Sequence, residues 1–277
     1  SFDGQCWWIT GASSGIGAAL ATELGARGAR VILSGRDEAR LAEVAATIPT
    51  ETLLLPFDVR DEPAMLAATD QAIAWSGGID GFVANAGVSQ RSRATRTAMQ
   101  VYRDIIEIDL VAQIAHTQAL LPHITARKAG RLLFISSIAG KLGAPMRTAY
   151  SAAKFGLAGY ADALRAELSL DGVQVHTIYP GSIATNVSRN ALSADGSKRG
   201  RSDSHIDNGI PAGEAAKTML DAVAAGEREI IVAEGMEKAL GESRRTPDAL
   251  FDQVAAMVAG GYPAKMAGAR PHRRSRR

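Results

Sequence analysis

Residues 6–17 read CWWITGASSGIG, and this stretch decides the fold. Cys6 to Thr10 is short, apolar and without alternation, the pattern of a strand buried on both faces. Gly11, Gly15 and Gly17 follow at once, then an alanine-rich helical segment from Ala18 to Arg27. A second apolar run, Arg30 to Ser34, completes a strand–helix–strand unit. Glycines at the first turn of such a unit make a seat for a pyrophosphate. Gly11 permits the tight turn, Gly15 lets the backbone approach the phosphates, and Gly17 lets the helix pack on the sheet. The helix N-terminus adds amide donors and the positive end of its dipole. Ser13, Ser14 and Ile16 lie in the same loop. The spacing is Gly-x-x-x-Gly-x-Gly, not Gly-x-Gly-x-x-Gly.

Gly11-Ala12-Ser13-Ser14-Gly15 also spells the G-x-S-x-G nucleophile elbow of hydrolases. A serine hydrolase using Ser13 is therefore a rival reading. It is the weaker one, because such an elbow is normally set in a sheet several strands deep, and here it follows the first strand. No later His sits in an evident catalytic loop. At the end of the second strand, Gly35 leaves room and Arg36 supplies charge for a ribose 2′-phosphate, which favours NADP(H), with NAD(H) the alternative. Asp37 reads as the cap of a helix over Asp37–Thr47.

The alternation continues down the chain. Strands are expected from Thr52, over Gly81–Ala84, after Arg131, over Val173–Gly181 with its turn, and over Glu229–Val232. Helices are expected over Glu62–Trp75, over Ala98–Arg127 with a bend at Pro122, and over Pro211–Ala225. Asp58, with Val59, is placed to meet an adenine edge. Asn85-Ala86-Gly87 puts small residues at a strand's carboxyl end, where a flat cofactor lies close. Asp109 is a carboxylate in an otherwise apolar helical stretch, IIEIDLVAQIA, and reads as a core oddity or a site residue. Residues 182–210 are polar and poorly periodic; they read as a substrate lid hinged near Gly181, with Met146, Asn186 and Asn190 as wall residues. Residues 234–268 read as a C-terminal helical extension of one or two amphipathic helices.

Arg131 to Lys154, RLLFISSIAGKLGAPMRTAYSAAK, carries the chemistry. A buried strand ends in Ser136 and Ser137, and Tyr150 and Lys154 open a long helix one turn apart on one face. An ammonium neighbour favours a phenolate, so the pair can give and take a proton. The Ser137 hydroxyl can hold a substrate oxygen. Tyr-x-x-x-Lys alone is common on helices and gains meaning only from its setting.

The 277 residues, 46% of them apolar, suit one large domain. One cysteine, Cys6, rules out a disulfide framework within the chain and suits a reducing compartment. No His or Cys pairs at metal-ligand spacing, so no metal site is expected. No apolar run reaches the roughly 18 residues of a membrane span. No signal peptide is legible, and a cytoplasmic protein is expected. The net charge of +2 comes from the last eight residues, which hold five arginines; without them 26 basic residues face 29 acidic ones. Residues 269–277 read as a basic disordered tail rather than a nucleic-acid face.

Taken together, Thr10–Gly17, Asn85-Ala86-Gly87, Ser137, Tyr150-Ser151-Ala152-Ala153-Lys154, and Pro180-Gly181 with Thr185 resemble the short-chain dehydrogenase/reductase family. Order and separations agree from residue 5 to about 232. Tyr179 to Gly200, YPGSIATNVSRNALSADGSKRG, resembles its "member 7" subgroup. The resemblance implies one Rossmann-type α/β domain over residues 1–268, doubly wound on a seven-stranded parallel sheet of order 3-2-1-4-5-6-7. It implies hydride transfer between NAD(P)(H) and a carbonyl or alcohol. The apolar residues around the site favour a hydrophobic ketone or aldehyde. Tyr150 would be the acid–base, Lys154 would hold the nicotinamide ribose and tune it, and Ser137 would hold the carbonyl oxygen. Pro180, Gly181, Ile183 and Thr185 would flank the nicotinamide, and Asn85 the adenosine side. A homodimer or homotetramer is implied. The family usually has Asn where this chain has Asp109. A carboxylate there would offset the Lys154 charge, which predicts an alkaline-shifted enzyme or, as an alternative, a catalytically silent nucleotide binder.

Overall fold

The computed structural model describes residues 1–261. The expected arginine-rich tail and the last residues of the C-terminal extension lie outside the described residues. In chain order the elements are β1 (Cys6–Thr10), α1 (Gly15–Ala26), β2 (Arg30–Gly35), α2 (Glu38–Ala45), β3 (Thr52–Pro56), α3 (Glu62–Ser76) and β4 (Gly81–Ala84). Next come α4 (Met99–Ile106), α5 (Ala112–Arg127), β5 (Gly130–Ile135), α6 (Thr148–Glu167), β6 (Val173–Pro180), β7 (Ile183–Ala184), α7 (Ser204–Asp207) and β8 (Ile210–Pro211). The described chain ends with α8 (Ala212–Ala224), β9 (Glu229–Val232), α9 (Gly235–Glu242) and α10 (Asp248–Ala259).

Seven strands form one parallel sheet in the order β3-β2-β1-β4-β5-β6-β9. This is the expected order, with β9 as the seventh strand, because β7 and β8 pair only with each other. Parallel neighbours need crossovers, and the crossover helices cover both faces. Successive β1 side chains therefore enter opposite layers. Trp7 packs with Leu20 and Leu24 of α1 and Met219 and Leu220 of α8. Trp8 packs with Met65 of α3, Leu120 of α5 and Leu157 of α6. Trp7 also lies across β4, where a Cβ at Gly81 would run into its indole.

Three segments differ from the sequence reading. α1 begins at Gly15 rather than Ala18, so two of the glycines belong to its first turn. The helix expected over Ala98–Arg127 keeps Pro122 inside α5 and departs from α geometry earlier, in a π turn over Glu107–Val111. That wider turn carries Asp109 into the core, and π turns of this kind gather at functional sites. Residues 182–210 are not structureless: besides β7, α7 and β8, Leu192 bridges Gln90 and Lys198. The Arg91 guanidinium donates to Asp203 at 2.7 Å and ties this segment to the loop after β4.

His116 of α5 lies fully inside, 4.3 Å from Trp8 and 4.6 Å from Phe82 between ring centroids. Both ring nitrogens are buried without a partner, and burial pushes its pKa down to about 3. The folded state thus binds fewer protons than the unfolded chain between that value and the ordinary one near 6.5. Stability should fall as pH drops through that window, by up to about 1.4 kcal/mol per unit from this residue. His116→Phe should flatten the acid limb of stability in urea titrations between pH 6.5 and 4; an unchanged limb would show that the imidazole is hydrated there.

Candidate active site

β1, β4, β5 and β6 all end at the same edge of the sheet, the edge where ligands bind in open parallel sheets. Gly11 (φ 65°) and Gly15 (φ 58°) take the left-handed conformation that glycine favours. A Cβ on Gly11 would stand 2.9 Å from both Ala86 Cα and Asn85 Nδ2, so the glycine turn lies directly against the Asn85-Ala86-Gly87 loop. Asn85 binds the two: its amide donates to the Thr10 carbonyl at 2.9 Å and the Gly11 carbonyl at 3.3 Å. Its side chain is thereby committed to the backbone rather than free for an adenosine. Across the cleft, Thr185 Cγ2 would be 3.2 Å from a Cβ on Gly15. No side chain caps the N-terminus of α1 at Ser14. Backbone bared of Cβ atoms and an uncapped helix start suit a dinucleotide diphosphate.

At the outer end of the cleft, Gly35 faces Ser13, with 3.4 Å between the Ser13 hydroxyl and a Cβ built at Gly35. Arg36 is exposed. Asp37 does cap α2, accepting from the Arg40 amide at 3.1 Å. Asp58 is not free as expected. Its carboxylate accepts from the Arg60 amide at 3.0 Å and pairs with its guanidinium at 2.7 Å. Arg60 holds it below the usual carboxylate range, so an adenine would have to compete with Arg60. Among the described residues the hydrolase reading of Ser13 finds no histidine base. His123 accepts from Ile79, His176 bonds the Glu227 carbonyl, His205 faces Glu237 and His116 is caged.

The expected Ser137, Tyr150 and Lys154 come together where β5 meets α6. Ser137 ends the strand; its hydroxyl accepts from the Ala139 amide at 3.1 Å and donates to the Pro180 carbonyl at 3.4 Å. The Ser136 hydroxyl donates to the Lys154 carbonyl at 3.0 Å and locks α6 onto the strand end. The Lys154 ammonium donates to the Ile135 carbonyl at 3.0 Å and lies 5.6 Å from the Tyr150 ring centroid. Asp109 stands 3.2 Å from the same ammonium. Its other oxygen accepts from the Val88 amide at 2.7 Å, and Oδ2 has no aligned hydrogen-bond donor. The contact is thus an ion pair without hydrogen-bond alignment. Both groups are buried. Burial, the largest effect on each, raises the Asp109 pKa against the pull of Lys154. For Lys154 burial works downward, but Asp109 and Tyr150 outweigh it and hold the ammonium above its ordinary value.

A profile of the short chain dehydrogenase family matches residues 5–196. The chain belongs to the short-chain dehydrogenase/reductase family. It is 37% identical over 239 residues to dehydrogenase/reductase SDR family protein 7-like of Anopheles gambiae, covering 83% of this chain and 75% of that one. It is 36% identical to SDR family member 7B of Mus musculus, covering 81% and 72%. A short-chain dehydrogenase of Streptomyces avermitilis superposes with a TM-score of 0.77 at 25% identity, over 95% of this chain and 99% of that one. An NAD-bound family structure from Burkholderia phymatum, 21% identical over 89% and 97%, superposes at 0.78 and shares the fold. As a short-chain dehydrogenase/reductase, the protein is an NAD(P)-dependent oxidoreductase.

The expected wall residues Met146, Asn186 and Asn190 lie at the protein surface. Met146 is exposed and left-handed, with φ 67°, and its carbonyl accepts from Ser92 at 3.0 Å. Asn186 and Asn190 are exposed and share a backbone turn. Two working residues escaped the sequence reading. Gln90, fully buried, accepts from the Ala149 amide at 2.8 Å and fixes the first turn of α6 beside Tyr150. Glu237 of α9 accepts from the Ser182 amide at 2.7 Å and braces the turn after β6. Neither has a local signal, since the partners lie 59 and 55 residues away.

The Asp109 carboxylate gives a test of the expected acid–base role of Tyr150. Asp109→Asn leaves a buried ammonium uncompensated, which favours phenolate over phenol. The kcat/KM profile should then move to lower pH by about one unit. Superposed wild-type and variant profiles would show that Asp109 does not tune the reaction.

Proposed function

We propose that the protein interconverts a carbonyl and its alcohol using NADP(H), with Tyr150 as general acid–base. The observation that carries this reading is the buried Lys154 ammonium, fixed on the Ile135 carbonyl beside the Tyr150 ring. Bound NAD(P)H supplies a hydride to the carbonyl carbon. The residues of this chain do the rest. The Ser137 hydroxyl, at the end of β5, orients the carbonyl oxygen. Tyr150 gives that oxygen its proton as negative charge develops, and Lys154 stabilises the phenolate left behind. Oxidation of the alcohol runs the same transfers backward. Pro180, Gly181, Ile183 and Thr185 would flank the nicotinamide.

NADP(H) is favoured by Arg36, which is exposed at the end of β2 next to Gly35 and has no ion-pair partner among the described residues. A cytoplasmic homodimer or homotetramer completes the proposal. Met99, Val111 and Phe155, exposed on the α4–α6 side, support self-association. A second reading, a nucleotide binder without turnover, is favoured by one observation: Asp109 sets a carboxylate against the Lys154 charge.

NADPH oxidation against a panel of ketones, aldehydes and quinones separates the two readings. Turnover is expected, and Tyr150→Phe should reduce it by roughly 100- to 10,000-fold. Tight NADPH binding with no turnover anywhere in the panel would favour the silent binder. Arg36→Ala should weaken NADPH binding by roughly tenfold or more and NADH binding much less. Equal losses would defeat the NADP(H) preference.

A further inference from the structure

Among the described residues the half-buried arginines are paired, with one exception. Arg27 pairs with Glu23 and Asp221, Arg91 and Arg199 with Asp203, Arg165 with Asp162 and Arg228 with Asp252. Arg30 donates to the Ser76 carbonyl, and Arg131 to Gln174 and Gln5. Arg147 is half-buried too. Among the described residues its guanidinium has no carboxylate, carbonyl or amide partner. A partly desolvated guanidinium with five unused donors is costly to keep and selective for planar or tetrahedral oxyanions.

Its place makes the vacancy informative. Arg147 directly precedes α6, three residues before Tyr150, and its carbonyl accepts from the Ser151 amide at 2.7 Å. The ionisable groups near enough for their charges to act on it are Arg91, Tyr150, Asp203 and Glu237. Neither carboxylate is available to it. Asp203 is held by Arg91 and Arg199, and Glu237 by the Ser182 amide and hydroxyl at 2.7 and 3.1 Å. Burial and the Arg91 charge both push the Arg147 pKa down, so an incoming anion relieves a repulsion as well as filling a vacancy. Val88, Tyr150 and Leu192 pack against the small apolar cluster of Val101, Ile105, Ala149 and Ala153.

We propose that Arg147 anchors an anionic group on the substrate, so that the enzyme acts on carbonyl compounds carrying a carboxylate or phosphate within a few bonds of the reacting carbon. This inference rests on the reading of Tyr150 as the acid–base. Arg147 stands three residues before Tyr150, at the start of α6, which favours a short spacing between the anion and the carbonyl. The hydrophobic body expected of the substrate is retained, with an acid at one end.

The test uses 3-benzoylpropanoate, its methyl ester and phenacyl phosphate as substrates with NADPH, on wild type, Arg147→Gln and Arg147→Lys. Wild type should prefer an acid to the ester, and the better of the two acids identifies the anion. In Arg147→Gln the acid-to-ester ratio of kcat/KM should fall roughly 10- to 100-fold, mainly through KM. Arg147→Lys, which keeps the charge without the fork, should recover part of it. A wild-type enzyme that prefers the ester, or a variant with an unaltered ratio and an unaltered melting temperature, overturns the anchor while leaving the reductase standing. Absence of turnover on every carbonyl, with NADPH bound, defeats the reductase reading itself and this inference with it.

Discussion

The buried Lys154 ammonium is the point on which the rest of the site depends. Four elements converge on it. α6 carries it, β5 offers the Ile135 carbonyl, the π turn brings Asp109, and the loop after β4 holds Asp109 through the Val88 amide. At 3.2 Å and an effective dielectric near 20, the ion-pair attraction is roughly 5 kcal/mol. Removing two ions from water costs several kcal/mol each. The pair therefore adds little to net stability. Its consequence is positional: a charge of fixed location and persistent protonation beside the Tyr150 ring.

The backbone is irregular where the chemistry needs room. Gly11 and Gly15 adopt left-handed conformations at the first turn. A Cβ on Gly87 would stand 2.9 Å from the Asp109 carboxylate, so the ion pair and the Asn85-Ala86-Gly87 loop are fitted to one another. The π turn over Glu107–Val111 serves the same fit from the other side. A regular helix there would place the carboxylate elsewhere on its circumference.

The C-terminal helices are bound into this arrangement rather than appended to it. The Lys141 ammonium, just past the Ser137 loop, donates to Glu229 at 2.6 Å and to the Arg244 carbonyl at 2.9 Å, both across buried or half-buried ground. Glu237 of α9 braces Ser182 on the opposite side of the cleft. The segment after β6 is tied in turn to the loop after β4 by Arg91 and Asp203. Among these tied polar groups Arg147 is the half-buried arginine left without a partner among the described residues.

Local patterns in the chain were sufficient for the alternation of strands and helices, the glycine turn and the Ser137–Tyr150–Lys154 set, while the strand order came from the family resemblance that these motifs carry. Each of the former is written in neighbouring residues: unalternating apolar runs, glycine where the backbone must bend or approach, and two polar side chains one helical turn apart. Tertiary structure alone decided which polar group met which. Asp58 was taken by Arg60, Asn85 by the β1 carbonyls, Ala149 by Gln90 and Asp109 by Lys154, while Arg147 was left over. Apart from Asp58 and Arg60, these partners are joined only when distant strands and helices come to the same edge. Periodicity fixes what an element is and which face it buries, but a hydrogen bond depends on where two side chains finally stand, to a fraction of an ångström.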